Sequence, residues 1–542
     1  MQAVCTPAKL KVAFVSSETE HSLVGGLAEV AKSLPEALAG MGADITRFSP
    51  LHGVVWHTAG RNLSPVRLQN RPAVRLGSRD IGVSAFELAG SPVRTIYYKD
   101  DQQVPGKESV EFPGIRDLLA GQRRRLSFTQ QEIEDACFSR FFYKGRVYPK
   151  SVDLRLNFLF ATYAFLELLK SGGFGRFDVV HFNDWHFSLV PALITHDPRY
   201  REMKYLATLG TLHGLVSESY PVEEFEQLTS LYRSGHPALF DAWKGLLHNG
   251  TINFLKGLQY ADMANTVSPT YARELLTSER SGDLNGLFRY LTDLDRFRGV
   301  LNGIDPRWSP DNDHTLPAAF SAADLSGKQL CKEKLREAFG LTDHSKKPLI
   351  GVLSRIVPDK GFDILLPCID ALARQGIQFA IFGSGDNAGY LEQLSGLSKK
   401  HQGTVSFKTG YEDKDTISPL IYSGSDVFLR PSRTEPCGLS HMAAMMCGSV
   451  PVVHFTGGLA DTVFDIDEHP DTGNGFLFRE YSSDALMKKL FRALFIFEHE
   501  TALWGTLISR VMKADHSWGA RAGQYLELYE KALENALRRN GK

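Results

Sequence analysis

One pattern recurs along most of the chain and restricts what it can fold into: a short apolar run, a Gly or polar turn, then an amphipathic segment. Short apolar runs bounded by turn signals mark strands buried on both faces, as in parallel sheets. The runs 10–16, 178–183, 205–212, 263–267 and 299–304 fit. Helices are predicted between several of them, including 26–41 and 251–260. This alternation implies right-handed βαβ units and a doubly wound sheet. A second series follows, with strands predicted at 349–354, 379–382, 405–407, 427–429 and 450–454 and helices at 360–374, 416–423 and 440–447. The break between the two falls near 305–314, rich in Pro, Asp and Asn. Such composition marks a domain boundary. The expected organisation is an α/β domain over 1–310, a second α/β domain over 311–515, and a terminal helical segment over 516–542. Tyr525, Leu526, Leu528, Tyr529, Leu533 and Leu537 carry helical spacing in that last segment.

Charge and cysteine usage exclude several classes. The 61 Lys and Arg nearly balance the 62 Asp and Glu, for a net charge of −1. Nothing there points to nucleic acid, so any anion site should be local. Six scattered cysteines show no metal-ligand spacing, which suits free thiols in a reducing compartment. No run approaches the ~18 apolar residues of a membrane span. A soluble, cytoplasmic protein with no membrane partner is expected.

Residues with chemistry fall repeatedly where a strand should end, the position at which open α/β sheets bind ligands. The first strand runs into Ser16-Ser17-Glu18, and Gly25-Gly26-Leu27 opens a helix. Paired glycines let a backbone approach a ligand, and helix N-termini favour phosphate; a plain tight turn is the competing reading. Thr456-Gly457-Gly458-Leu459 repeats the arrangement in the second domain, and two such turns facing one cleft would suit a diphosphate. Arg355 and Lys360 follow the strand at 349–354, as cations for a pyrophosphate or as a solvent-facing pair. Glu435 follows the strand at 427–429. It could hold sugar hydroxyls or stabilise positive charge at an anomeric carbon, or cap a helix. His213 ends one predicted strand and Asp184-Trp185-His186 another. Trp185 could be a packing group or a stacking surface for a sugar. No zinc spacing, Walker A segment or nucleophile elbow occurs.

These segments resemble the bacterial glycogen synthase and plant starch synthase family, glycosyltransferase family 5, across most of the chain. The resemblance is carried by His181-Phe-Asn-Asp-Trp-His186, Phe254-Leu-Lys-Gly257, Thr266-Val-Ser-Pro-Thr-Tyr-Ala-Arg-Glu274 and Leu301-Asn-Gly-Ile-Asp305. It is carried most specifically by Ser354-Arg-Ile-Val-Pro-Asp-Lys-Gly361, Pro431-Ser-Arg-Thr-Glu-Pro-Cys-Gly-Leu439 and Thr456-Gly-Gly-Leu-Ala-Asp-Thr462. It implies a GT-B fold: two Rossmann-like, doubly wound domains facing a central cleft, with a C-terminal helix crossing back to the first. The implied reaction moves glucose from ADP-glucose or UDP-glucose to the non-reducing end of an α-1,4-glucan, with retention and with neither metal nor cofactor. Glu435, His213, Arg355, Lys360 and Asp184 would then serve catalysis. Gly25, Gly26, Asn302, Cys437, Gly438, Leu439, Thr456, Gly457, Gly458, Leu459 and Tyr148 would join Arg355 and Lys360 around the donor. Trp185 and His186 would meet the acceptor.

The sequence departs from the family at three places. Leu23 stands where the family has the lysine of Lys-Thr-Gly-Gly-Leu. His213-Gly214-Leu215 replaces His-Asn-Leu, and Ser440-His441-Met442-Ala443 replaces Thr-Gln-Leu-Tyr. These changes leave open a retaining transferase with another donor or a protein or other non-glucan acceptor. They also leave open a catalytically weakened homologue that binds nucleotide or glucan.

Overall fold

The computed structural model describes residues 9–22, 26–52, 55, 58–76, 79–101, 154–215, 219–222, 247–248, 250–342, 347–385, 387–410 and 414–541. The chain divides into two compact units. Unit 1 comprises Met1–Thr266, Leu275–Val300 and Arg521–Lys542; unit 2 comprises Val267–Glu274 and Leu301–Ala520.

Unit 1 contains β1 (Lys11–Val15), β2 (Asp44–Pro50), β3 (Leu63–Pro65), β4 (Ala73–Leu76), β5 (Arg79–Leu88), β6 (Arg94–Asp100), β7 (Val179–Asn183) and β8 (Ala207–Leu212). It also contains β9 (Ser219–Pro221), β10 (Leu247–His248), β11 (Thr251–Asn253), β12 (Met263–Thr266) and β13 (Phe297–Gly299). The main sheet runs β13-β12-β8-β7-β1-β2-β6-β5-β3, with β4 paired to β5. Neighbours from β13 to β6 are parallel. β5 runs antiparallel to β3, β4 and β6 and finishes one edge. The interior strands β7 and β8 are buried at every residue, which is why they read as unbroken apolar or small-residue runs. From β1 the chain builds outward through β2 and β6, then returns through β7 to build the other way. The sheet therefore reverses between β1 and β7, and the loops leaving those strands flank a topological switch point.

The loop after β1 is anchored by a buried cation. Arg47 on β2 donates to both carboxylate oxygens of Glu20 at 2.7 and 2.6 Å, to the Ala31 carbonyl at 2.9 Å and to the Thr95 hydroxyl at 3.2 Å. The helix Trp518–Asn540 joins unit 1 from Arg521 onward. Its Tyr529 hydroxyl lies 2.8 Å from His181 Nδ1, whose Nε2 meets Thr211 Oγ1 at 2.7 Å.

Unit 2 holds a six-stranded, all-parallel sheet of β14 (Leu349–Leu353), β15 (Gln378–Phe382), β16 (Val405–Lys408), β17 (Val427–Arg430), β18 (Val450–His454) and β19 (Phe476–Phe478). The order is β16-β15-β14-β17-β18-β19, so the reversal falls between β14 and β17. One face packs the helices Phe362–Ala373 and Ser483–His499 through Leu365, Ile369, Leu372, Leu486 and Leu490. Each such side chain contributes about 1.5–3 kcal/mol when fully buried.

Two expected elements differ. The predicted helix over 251–260 is instead β11, antiparallel to β9 and β10, followed by a 3₁₀ helix, Phe254–Tyr260. Asn253 explains the switch: its side chain caps the Leu255 N–H at 2.9 Å, so the ribbon ends there and a new helical turn begins. The strand expected over 299–304 is the three-residue β13, ending at Gly299. The chain then leaves the sheet, and the Ile304 N–H pairs with the His516 carbonyl at 2.7 Å.

Candidate active site

The switch point of unit 1 gathers Ser17, Glu18, Asn183, Asp184, His186 and His213. Asp184, directly after β7, adopts φ 55° and ψ −173°, a left-handed φ that is costly for a residue with a side chain. The conformation turns its carboxylate onto the His213 N–H, 2.7 Å away at the end of β8. Burial pushes the Asp184 carboxyl up to about 7; the His213 N–H opposes this and Glu18 adds to it. Asn183 donates through Nδ2 to the Val15 carbonyl at 3.0 Å, which leaves its Oδ1 to accept from His213 Nε2 at 3.0 Å. His213 is thereby fixed as the Nε2–H tautomer, and burial lowers it to about 3. It is a neutral imidazole, suited to hydrogen bonding and not to carrying charge.

Trp185 and His186, expected to meet an acceptor, face inward. Trp185 is 4% exposed, stacks on His186 with ring centroids 4.4 Å apart and packs edge-on against Phe158. His186 also packs against Phe158 and reaches Ser17 Oγ at 3.3 Å. The pair is a packing group, because the 3₁₀ turn Trp185–Phe187 points its rings into the core. Gly26 opens the helix Gly26–Gly40. Gly25, Leu23 and Tyr148 lie outside the described residues.

The switch point of unit 2 is built around Glu435. The residue is 6% exposed, and one carboxylate oxygen, Oε2, collects three donors. These are Lys360 Nζ at 2.9 Å, Arg430 Nε at 2.8 Å and Ser432 Oγ at 3.1 Å, and Arg430 Nη2 lies 2.7 Å from the same oxygen as an ion pair. Burial alone would raise the carboxyl, but Arg430 and Lys360 outweigh it and hold Glu435 well below the usual carboxylate range. Glu435 is therefore ionised, with Oε1 left for another partner. Burial lowers the Lys360 ammonium against the pull of Glu435, and Arg430 and Arg355 push the same way. Arg355, at the end of β14, is exposed and has no side-chain partner among the described residues.

Local sequence explains this placement. Gly361 has φ 79°, and a Cβ there would lie 2.0 Å from the Pro431 carbonyl oxygen. The Lys360 turn can therefore press against the Pro431–Thr434 loop, where the Asp359 carbonyl accepts from the Arg433 N–H at 2.9 Å. The glycines of Thr456-Gly457-Gly458-Leu459 do a related job. A Cβ on Gly457 would lie 2.0 Å from the Glu435 carbonyl oxygen, and one on Gly458 2.2 Å from that of Cys437. These glycines admit the protein's own backbone. The donors of this turn are also engaged. The Gly457 N–H reaches Glu274 Oε1 at 2.9 Å, the Gly458 N–H the Glu435 carbonyl at 3.2 Å, and the Leu459 N–H the Thr456 carbonyl at 3.1 Å. Thr456 Oγ1 also meets Glu274, at 3.2 Å. As placed, the N–H groups of Gly457, Gly458 and Leu459 are engaged within the protein, where they buttress the Glu435 loop.

Free donors lie elsewhere, at the start of the helix Leu439–Met446. Gly438 enters it with φ 85° and provides no side-chain cap. The N–H groups of Leu439, Ser440 and His441 have no acceptor among the described residues. Ser440 Oγ is buried without a partner among the described residues, as is Asn302 Oδ1. Uncapped amides at a helix N-terminus favour an anion. Cys437 packs beneath, with Val267, Leu301, Ile304 and Met442, and acts as core. His441 Nε2 meets Thr462 Oγ1 at 2.6 Å and braces the helix from inside.

Sequence reasoning did not single out Arg430, Ser432 or Glu274. The available signal was an arginine closing the apolar run Val427-Phe-Leu, five residues before the acid. No group of three or more His, Cys, Asp or Glu among the described residues is placed to hold a metal ion. No helix among them is long and apolar enough to cross a membrane.

Comparison with known proteins shows the family and the fold. A family model described as the starch synthase catalytic domain matches residues 11–113 and 118–290, and one described as glycosyl transferases group 1 matches 333–496. The glycogen synthase of Syntrophotalea carbinolica is 35% identical over 517 residues, 94% of this chain and 96% of that protein. That of Thermosipho melanesiensis is 34% identical over 534 residues, 97% of this chain and 100% of that protein. Among solved structures, the catalytic domain of starch synthase IV from Arabidopsis thaliana, bound to ADP and acarbose, matches with TM-score 0.81 at 27% identity. The match covers 97% of this chain and 100% of that one. A sucrose-phosphate synthase from Thermosynechococcus elongatus, 18% identical with TM-score 0.52 over 96% of this chain and 99% of that one, shares the fold.

Proposed function

The chain belongs to the glycogen synthase and starch synthase family of GT-B glycosyltransferases, and from that premise we propose that it extends an α-glucan. The donor in this reading is ADP-glucose, with UDP-glucose as the competing substrate, and the acceptor is the non-reducing end of an α-1,4-glucan. One observation carries it: an ionised, buried carboxylate with a single oxygen pinned, beside an uncapped helix N-terminus and an exposed arginine. Breaking a glycosyl–phosphate bond develops positive charge at the anomeric carbon and negative charge on the departing diphosphate. Glu435 Oε1 is assigned to the first. Arg355, Lys360 and the Leu439–His441 amides are assigned to the second, doing electrostatically what a metal ion does in other transferases.

Asp184 and the neutral His213 are assigned to sugar hydroxyls, and Asn302, whose Oδ1 has no partner among the described residues, to the donor. The α configuration is retained in this reading. The test is a panel of labelled sugar nucleotides with glycogen, malto-oligosaccharides and protein acceptors. Transfer from ADP-glucose or UDP-glucose to the glucans supports the reading. Faster release of another nucleotide, or transfer to a non-glucan acceptor, replaces it with that substrate pair. Nucleotide binding with no turnover on any donor identifies a binding homologue.

A further inference from the structure

The charge count around Glu435 carries one step further. Two cations, Lys360 and Arg430, face one carboxylate, and both are about as buried as it is, 8% exposed each. The reading above asks Lys360 to meet the leaving diphosphate, yet its Nζ lies on Glu435. A lysine ammonium sits on a flexible stem and can turn to a new partner, whereas a planar guanidinium fork is held in one geometry. Arg430 is held on both sides. Nε and Nη2 grip Glu435, and Nη1 donates at 2.7 Å to the Leu353 carbonyl, at the end of the strand that leads into Arg355. The guanidinium thus ties the ends of β14 and β17 together at the switch point.

We propose that Arg430 is a positioning residue: it holds Glu435 ionised and fixed so that Lys360 is free to follow the diphosphate. The inference rests on the assignments of Glu435 and Lys360 made above. Without Arg430, recruiting Lys360 to phosphate would strand a buried carboxylate with Ser432 as its only remaining side-chain donor among the described residues, which a protein interior strongly penalises. With Arg430 in place, the pair Arg430–Glu435 stays neutral and the charge of Lys360 becomes surplus. The remaining titratable groups nearby do not substitute for it. Burial lowers His441 to about 3, Arg355 acts on Lys360 as a like charge, and His454 contacts the Ser432 carbonyl through Nδ1 at 2.9 Å.

The experiment compares wild type, Arg430→Met, Arg430→Lys, Lys360→Met and Glu435→Gln, using whichever glucosyl donor the wild type accepts, with glycogen. It reads kcat, KM, the pH profile of kcat/KM and the Kd for the nucleoside diphosphate. In Arg430→Met, turnover is expected to fall on the order of a hundredfold, as for a misplaced reacting group. The Kd should rise because Lys360 stays on Glu435. An acid limb absent from wild type should enter the profile near the ordinary carboxylate range. Arg430→Lys should recover part of the turnover. Lys360→Met should weaken diphosphate binding without introducing that limb. Wild-type turnover with no new limb in Arg430→Met overturns the proposal, as does an acid limb in Lys360→Met. If Arg430→Met does not fold, the Lys360→Met profile decides. Wild-type turnover in Glu435→Gln overturns the assignment of Glu435 itself; an inactive Glu435→Gln beside an unaffected Arg430→Met removes only Arg430.

Discussion

Replacing Asp184 with Asn should make the protein more stable at alkaline pH while weakening transfer. The folded carboxyl titrates at about 7 against an ordinary value of 3.8, mainly because burial disfavours its charged form. A carboxyl raised in the folded state binds more protons there than when unfolded. Its contribution to stability is thus full below the unfolded value and is lost as pH rises from about 4 to about 7. The full interval corresponds to about 4 kcal/mol. Asp184 keeps some contact with solvent, which screens the charge, so about 2–4 kcal/mol is expected. Asn keeps an oxygen to accept the His213 N–H. Urea unfolding of wild type and Asp184→Asn at a series of pH values across that interval measures the effect. The variant should match wild type at the acid end and exceed it at the alkaline end. At alkaline pH it should also transfer glucose more slowly, since Asn cannot supply a carboxylate to a sugar hydroxyl. A stability difference that does not change with pH would refute the argument that Asp184 carries a costly charge.

Three further outcomes follow from the packing. Arg47→Met leaves Glu20 without its partner in a largely enclosed position and should cost roughly 3–5 kcal/mol by thermal or denaturant unfolding. Gly457→Ala forces a side chain against the Glu435 carbonyl at a φ of 43°, costing about 1–3 kcal/mol, and should lower kcat more than it raises the donor KM. Trp185→Leu removes a core ring, so it should destabilise by about 2–5 kcal/mol while leaving the glucan KM of the folded fraction unchanged. A large rise in that KM would return Trp185 to the acceptor site.

Strands proved more legible in the sequence than the roles of the residues at their ends. β7, β15 and β18 are buried at every residue, so composition alone marked them, and the reversal of strand order placed Glu435, Arg355 and Asp184 at switch points. Periodicity failed at 251–260, where the same apolar residues serve a ribbon and a 3₁₀ turn and the Asn253 cap decides between them. In sequence the pair Gly457-Gly458 suggests room for a ligand; three-dimensional contact shows that these positions also admit the backbone of Glu435 and Cys437. The same limit hid Arg430. An arginine ending an apolar strand usually reaches solvent, and only the fold turns this one back onto a carboxylate. Trp185 was open in the sequence between packing and stacking on a sugar, and the turn after Asp184 directs its ring inward.

The measurement that bears most directly on the central claim is transfer of labelled glucose from ADP-glucose and from UDP-glucose to glycogen, by wild type and by Glu435→Gln. Wild type should yield labelled, α-amylase-digestible glucan. The variant should lose on the order of a hundredfold or more of that transfer, with nucleoside diphosphate binding retained. Undiminished transfer by Glu435→Gln, or no transfer by wild type from either donor, would contradict it.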